Sequence, residues 1–155
     1  MYWTRFSSWS RSSIATAGMD GTSPRTIVTG LTEPCGIVVD FSVSRLYWAD
    51  WEAGKIQSSD LNGRDVRTLF PASQPYGIVV VGERIIWANK GNRELWSRSG
   101  REFKNASRLH TDNHYIRHLA VVPNFGLPNS RENHCDGQNC TRVCVLSALS
   151  FRCLN

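Results

Sequence analysis

Leu46-Tyr47-Trp48-Ala49-Asp50-Trp51 is the stretch that most constrains how this chain can fold. It is one copy of a recurring pattern. Met1-Tyr2-Trp3-Thr4-Arg5 precedes it and Ile85-Ile86-Trp87-Ala88-Asn89 follows. Each copy runs apolar, large apolar, Trp, small, polar. A second marker keeps stricter time. Pro34-Cys35-Gly36-Ile37-Val38-Val39 recurs as Pro75-Tyr76-Gly77-Ile78-Val79-Val80, and Ile116-Arg117-His118-Leu119-Ala120-Val121 follows without the Pro and Gly. These copies start at 34, 75 and 116, so the period is 41 residues twice over. Turn signals at Asp20-Gly21, Asn62-Gly63 and Ser99-Gly100 stand in step with it, because such dipeptides supply the positive φ of tight turns.

Within one period the order is clear. An apolar run (Gly36 to Val39) leads through a turn (Phe41 to Arg45) to the Trp strand (Leu46 to Asp50). A loop at Glu52 to Gly54 precedes a third strand (Lys55 to Asp60), and the Asn62-Gly63 turn leads to a fourth (Val66 to Phe70). Four short strands per forty-odd residues, with no helical period, predict the blades of a β-propeller. The leading run is apolar at consecutive positions, which predicts an inner strand buried on both faces. Trp48 and Trp87 are then packing residues between blades rather than ligand sites.

The 155 residues carry 18 Lys and Arg against 13 Asp and Glu. The basic residues are scattered, so the +5 balance speaks for solubility and against a nucleic-acid partner. No segment is long and apolar enough to span a bilayer, and Met1 opens directly into a motif without a leader pattern. Cys135, Cys140, Cys144 and Cys153 crowd the end of the chain, a spacing that favours disulfides over zinc. With sequons at Asn105 and Asn139 as N-glycosylation sites, the chain reads as a piece of an exported protein. Residues 123–134, rich in Pro, Asn, Ser and Gly, read as a linker.

His110, His114 and His118 are spaced by four, which on a helix could build a metal site. The repeat phase puts them instead at a strand end, in a loop and at the Gly36/Gly77 position. No metal or other cofactor is expected. A pH-sensing group is the functional reading of these histidines, since histidine titrates near pH ~6.5; solvated loop histidines are the plainer one.

These residues resemble the YWTD, or low-density-lipoprotein receptor class B, repeats of the low-density-lipoprotein receptor family. Leu46 to Trp51 is similar to that family's LYWTDW, Pro34 to Asp40 to its P-x-G-[LI]-[AT]-V-D, and Asp60-Leu61-Asn62-Gly63 to its LDG turn. The likeness covers residues 1–122. Residues 135–155 resemble a truncated EGF-like module, which implies pairs Cys135–Cys144 and Cys140–Cys153 and leaves Cys35 unassigned. The resemblance implies an all-β fold: about three blades, the C-terminal half of a six-bladed propeller, with the remaining blades as partners. Arg5 and Asn89 stand where the family has its motif Asp, so the hydrogen bonds between blades that this Asp makes are not expected there.

No catalytic motif is present, so no enzyme is expected. The expected function is an extracellular protein-ligand-binding module of an endocytic or signalling receptor, with lipoprotein-, Wnt- or laminin-type ligands, membrane-attached only through a segment outside this sequence. One alternative is a nidogen-like matrix protein that binds laminin. Another is a propeller hydrolase, with Asp40, Asp50 and Asn89 as its polar residues. The loops entering each blade and those between second and third strands form one face. On it Trp51, Glu52, Tyr76, Lys90 and Arg117 are the candidate ligand-binding residues, since aromatics and Arg carry interface hot spots. Half a ring also leaves two open blade faces, an aggregation hazard.

Overall fold

The β-branched and aromatic runs form strands throughout. The computed structural model describes residues 1–9, 11–99, 106–122, 143–147 and 150–154, and among them there is no helix. A three-stranded sheet comes first, in the order β1 (Tyr2–Arg5), β2 (Ser12–Thr16), β3 (Arg25–Leu31). The second sheet is β4 (Pro34–Asp40), β5 (Arg45–Asp50), β6 (Lys55–Asp60), β7 (Arg67–Pro71), and the third is β8 (Pro75–Val81), β9 (Arg84–Asn89), β10 (Glu94–Ser99), β11 (Ala106–Thr111). In each, chain order is sheet order and neighbours are antiparallel. These are three propeller blades, with the boundaries expected from the repeat to within a residue or two.

The tryptophans join blade to blade. Trp48 on β5 has no exposed surface and packs with Ile14, Val28 and Leu31 of the first sheet. Trp87 on β9 takes the same place one blade later, among Ala49, Ile56 and Phe70 of the second sheet. Its ring lies tilted on Phe70 at 5.2 Å and stacked beside Trp96 at 6.5 Å. Each indole thus belongs to one sheet and is buried by the preceding one, removing roughly 150–250 Å² from water.

Three expectations change in detail. First, β8 is largely buried, whereas Ile37, Val38, Val39 and Asp40 of β4 are only half-buried. β4 packs on β8 through one face; on its other side, among the described residues, the first sheet ends at β1. Second, the Ile116 run is not a full inner strand. Only β12 (Val121–Val122) is extended with a ladder, and it pairs with β13 (Val143–Ser147), which pairs with β14 (Ser150–Leu154). Third, the Asn62-Gly63 turn is wider than a two-residue hairpin. Asp60 N–H donates to Arg64 O at 2.9 Å, and the Asp60 carboxylate accepts from Asn62 and Arg64 N–H, both at 2.8 Å.

Gly63 has a second duty beyond the turn. Its φ is +79°, and a Cβ there would run into the Ile27 carbonyl of β3. Beside it Arg25 donates to Asn62 Oδ1 at 2.9 Å and Tyr2 Oη to Leu61 O at 3.2 Å. One turn therefore closes a blade and seats it against its neighbour. The candidate linker, Cys135, Cys140, Asn105, Asn139 and Gly100 lie outside the described residues. Cys144 and Cys153 are facing positions in the β13–β14 register.

Trp48→Ala should lower unfolding free energy by about 3–5 kcal/mol. Gly63→Ala should cost at least about 1–2 kcal/mol from the left-handed backbone alone. Urea titration followed by tryptophan fluorescence checks both; wild-type midpoints would contradict the packing described.

Candidate binding face

Strand direction decides which loops share an end of the blades. Because neighbours alternate, the loop entering each inner strand and the loop from second to third strand emerge together. On this end lie residues 6–9, 11, 32–33, 51–54, 72–74, 90–93 and 112–115.

Asp50 builds the first part of this face. The side chain is 1% exposed, and its carboxylate accepts from Glu33 N–H at 2.8 Å, Thr32 N–H at 3.1 Å and Ala53 N–H at 3.4 Å. Trp51 N–H donates to Glu33 O at 2.9 Å. The last residue of the Trp strand so holds the loop that crosses from the first blade into the second. Asn89 occupies the same place in the third blade. There the backbone link survives, Lys90 N–H to Gln74 O at 3.1 Å, and Asn89 Oδ1 accepts from Asn92 N–H at 3.3 Å. Among the described residues nothing from the 72–74 loop reaches the Asn89 side chain. Arg5 is exposed.

Glycine brings the inner loops close enough to touch. A Cβ on Gly36 would meet the Tyr76 carbonyl and lie 2.9 Å from Ile78 N; one on Gly77 would lie 2.8 Å from Arg117 O. Thr4 Oγ1 donates to Cys35 O at 3.2 Å. The blades therefore step round one axis, Thr4 to Cys35, Gly36 to Tyr76, Gly77 to Arg117. This is the physical reason for Gly in the Pro-x-Gly marker: backbone of the next blade fills the space a side chain would need.

The close step gathers side chains. Lys90 Nζ sits 4.7 Å from the Tyr76 ring centroid and 5.1 Å from that of Trp51. Such contacts are worth about 0.5–1 kcal/mol when exposed and about 2 when desolvated. The Trp51 indole N–H is buried with no acceptor among the described residues. Acidic groups surround the ammonium. Burial pushes the Glu33 carboxyl above the usual carboxylate range, with Glu52 and Asp50 pushing the same way and Lys90 opposing. Burial also pushes the Cys35 thiol up to about 11, helped by Glu33, and Cys35 is not in a disulfide. A thiol held neutral this way is a poor nucleophile.

The structure thus brings Trp51, Tyr76 and Lys90 together and sets Glu52, exposed, at their edge. Arg117 is exposed one step further round the axis, its carbonyl against Gly77. His110 and His114 flank one carboxylate: Asp112 Oδ2 is 3.9 Å from His110 Nε2 and Oδ1 is 3.6 Å from His114 Nδ1. The His114 N–H bond holds the Asp112 carboxyl below the usual range, helped by Asn113 N–H and by the histidines. His118 is exposed and stands apart, beside Gly77. Of the hydrolase candidates, Asp40 lies away from Asp50 and Asn89. Asp40 and Asp50 sit at opposite ends of the β4–β5 ladder, and Asp40 is engaged by Ser42 N–H at 2.9 Å and Ser42 Oγ at 2.6 Å.

Two residues on this face escaped the sequence reading. Trp9 is 98% exposed and Phe6 63% exposed, in the loop between β1 and β2. An open hollow of about 600 Å³ lies beside Trp9 and Arg11. The signal was available: Phe6 follows its Trp motif as Trp51 and Lys90 follow theirs. The longer loop put Trp9 out of phase.

Residues 44–72 match the low-density lipoprotein receptor repeat class B family. The chain is 28% identical over 155 residues to the vitellogenin receptor of Solenopsis invicta, covering 95% of this chain and 8% of that one. It is 26% identical over 137 residues to low-density lipoprotein receptor-related protein 5 of Homo sapiens, covering 85% and 8%. Among solved structures, a chain of a nidogen/laminin complex superposes with a TM-score of 0.62 at 28% identity, over 69% of this chain and 43% of that one. The chain spans under a tenth of the length of these two receptors.

Asp50→Ala strands three backbone N–H groups, of Thr32, Glu33 and Ala53, and should cost about 2–4 kcal/mol, on the scale of unmade buried hydrogen bonds. Denaturant titration measures it. Lys90→Met should raise the Glu33 carboxyl further and Glu52→Gln should lower it, read by NMR titration of that side chain. No movement in either variant would contradict the electrostatic cluster.

Proposed function

We propose that this chain, whose residues 44–72 match the low-density lipoprotein receptor class B repeat, is a non-catalytic, extracellular protein-binding module of a receptor ectodomain. The observation that carries the reading is the Lys90 ammonium held over both Trp51 and Tyr76, across the junction of two blades. Rigid aromatics around a fixed charge are the kind of surface on which binding energy concentrates. The acidic rim of Glu33 and Glu52 suits a ligand segment that is basic at its edge and apolar at its centre. On this face the Asp50 carboxylate is engaged in loop closure and the Cys35 thiol is held neutral, which supports binding rather than chemistry.

A receptor is favoured over a matrix protein because the likeness to the vitellogenin receptor runs along 95% of the chain, beyond the blades themselves. The matrix reading has its own support in the nidogen likeness, so a large lipid-carrying protein such as vitellogenin and a laminin are the two ligands to compare. Surface plasmon resonance of both over immobilised residues 1–155 separates the readings. Tyr76→Ala and Trp51→Ala should each weaken the bound ligand about 30-fold, a hot-spot loss of ~2 kcal/mol, with circular dichroism unchanged. Wild-type affinity in both variants would sink this site.

His110 and His114 beside Asp112, with His118 nearby along the chain, support release in acid. Ligand binding should weaken from pH 7.4 to pH 5, and replacing the three histidines by Gln should flatten the profile. A profile that is level in the wild type removes the idea.

A further inference from the structure

Asn62-Gly63 is the one Asn-Gly dipeptide in the sequence. The pair is reactive as well as a turn signal. Once the Gly nitrogen loses its proton it can attack the Asn side-chain carbonyl carbon, and glycine has no side chain to obstruct the approach. A bond forms between Gly N and Asn Cγ, the Cγ–Nδ2 bond breaks, and ammonia leaves. Water then opens the five-membered succinimide at either carbonyl. One opening gives Asp. The other gives isoaspartate, in which the main chain runs through the former side chain and is one atom longer. One water is consumed, one ammonia is released, and nothing is oxidised or reduced.

Asn62 is exposed, so water and hydroxide reach it. Each reacting group is nevertheless held. Gly63 N–H donates to Asp60 O at 3.1 Å, which keeps its proton engaged. Asn62 Oδ1 accepts from Arg25 Nη2 at 2.9 Å, which ties the side-chain amide to the start of β3. Asn62 N–H and Arg64 N–H both donate to Asp60 Oδ1 at 2.8 Å, fixing the backbone on either side. Gly63 backs onto the Ile27 carbonyl, where a Cβ has no room, and Tyr2 Oη donates to Leu61 O at 3.2 Å. Ring closure requires the chain between Asn62 and Gly63 to rotate, and these contacts resist it. Those from Tyr2, Arg25 and Ile27 come from the first blade, whereas the turn itself belongs to the second.

We propose that Asn62 is a deamidation site kept closed by the seating of the second blade on the first. While the two blades are packed, the turn is locked and the Asn persists. When they part, the Gly63 nitrogen and the Asn62 amide are released together and the reaction proceeds. The two products then differ. The Asp product keeps the backbone and places a carboxylate beside Arg25, so the blades seat again. The isoaspartate product adds a backbone atom between positions 62 and 63, so Gly63 no longer fits against Asp60 O and the Ile27 carbonyl at once. Separation of these two blades is thereby recorded covalently. The site lies at the end of the blades opposite Trp51, Tyr76 and Lys90 and stands apart from the ligand reading.

Residues 1–155 are incubated at pH 7.4, folded and in urea, then digested. The peptide spanning Asn62 and Gly63 is followed by mass spectrometry for a gain of one mass unit, and isoaspartyl methyltransferase labelling separates the products. The folded wild type should convert at least about tenfold more slowly than the same chain in urea, because reaction waits for the turn to open. Folded Arg25→Ala should convert about threefold faster than folded wild type, the scale of one exposed hydrogen bond, and at the wild-type rate in urea. Where circular dichroism shows Arg25→Ala unfolded, Tyr2→Phe carries the same expectation from the other side of the turn. Equal rates folded and in urea overturn the proposal, as does a chain that keeps its Asn in urea. A wild-type rate in the folded variant overturns it as well, since the first blade then holds nothing closed. The isoaspartate form, separated by ion exchange, should unfold at lower urea than Asn62→Asp; equal midpoints overturn the covalent record.

Discussion

No blade of this protein can bury its own hydrophobic surface. A four-stranded twisted sheet has two faces, and its strands are too short to fold over and cover either. The contact that solves this is an indole from the second strand of one blade set into the preceding blade, Trp48 on Ile14, Val28 and Leu31, Trp87 on Phe70 and Ala49. Everything else is arranged so that these contacts repeat. The glycines let the inner strands approach, Asp50 ties the crossing loop, and the Asn62-Gly63 turn seats the opposite end against Ile27.

The candidate binding face is a by-product of that repetition. Blades that step round an axis bring their entry loops together, and a residue placed once per period on such a loop meets its counterparts from neighbouring blades. Trp51 and Lys90 occupy the same position in successive repeats, and Tyr76 enters between them from the inner strand. Their meeting explains how two loops distant along the chain make one charged aromatic surface. Substituting Asn89 for the motif Asp leaves the third blade with a looser crossing loop than the second. The face is accordingly more firmly held around Trp51 than around Asn92.

Most of the fold was legible because the repeat states it several times. Strand order, strand limits and the structural role of the tryptophans follow from the 41-residue period and from residue type. The half-burial of β4 was less legible, since it depends on what lies across from it and not on its own Ile-Val-Val run. The turn at Gly63 read as a hairpin, although its glycine also answers to the backbone of another blade. Five candidate ligand residues were named from loop position; three of them converge, and Trp9 was missed because a loop insertion broke the phase.

The amino-acid sequence by itself determined the period, the strands, the small residues at each close approach and the resemblance of residues 44–72 to a known repeat. These are properties of residues read one blade at a time, through alternation, β-branching and turn chemistry. Only the tertiary structure decided that Lys90 lies over Trp51 and Tyr76, and that burial and Glu33 hold the Cys35 thiol neutral. Each of these depends on distance and desolvation between different blades, and no pattern along a single blade encodes either.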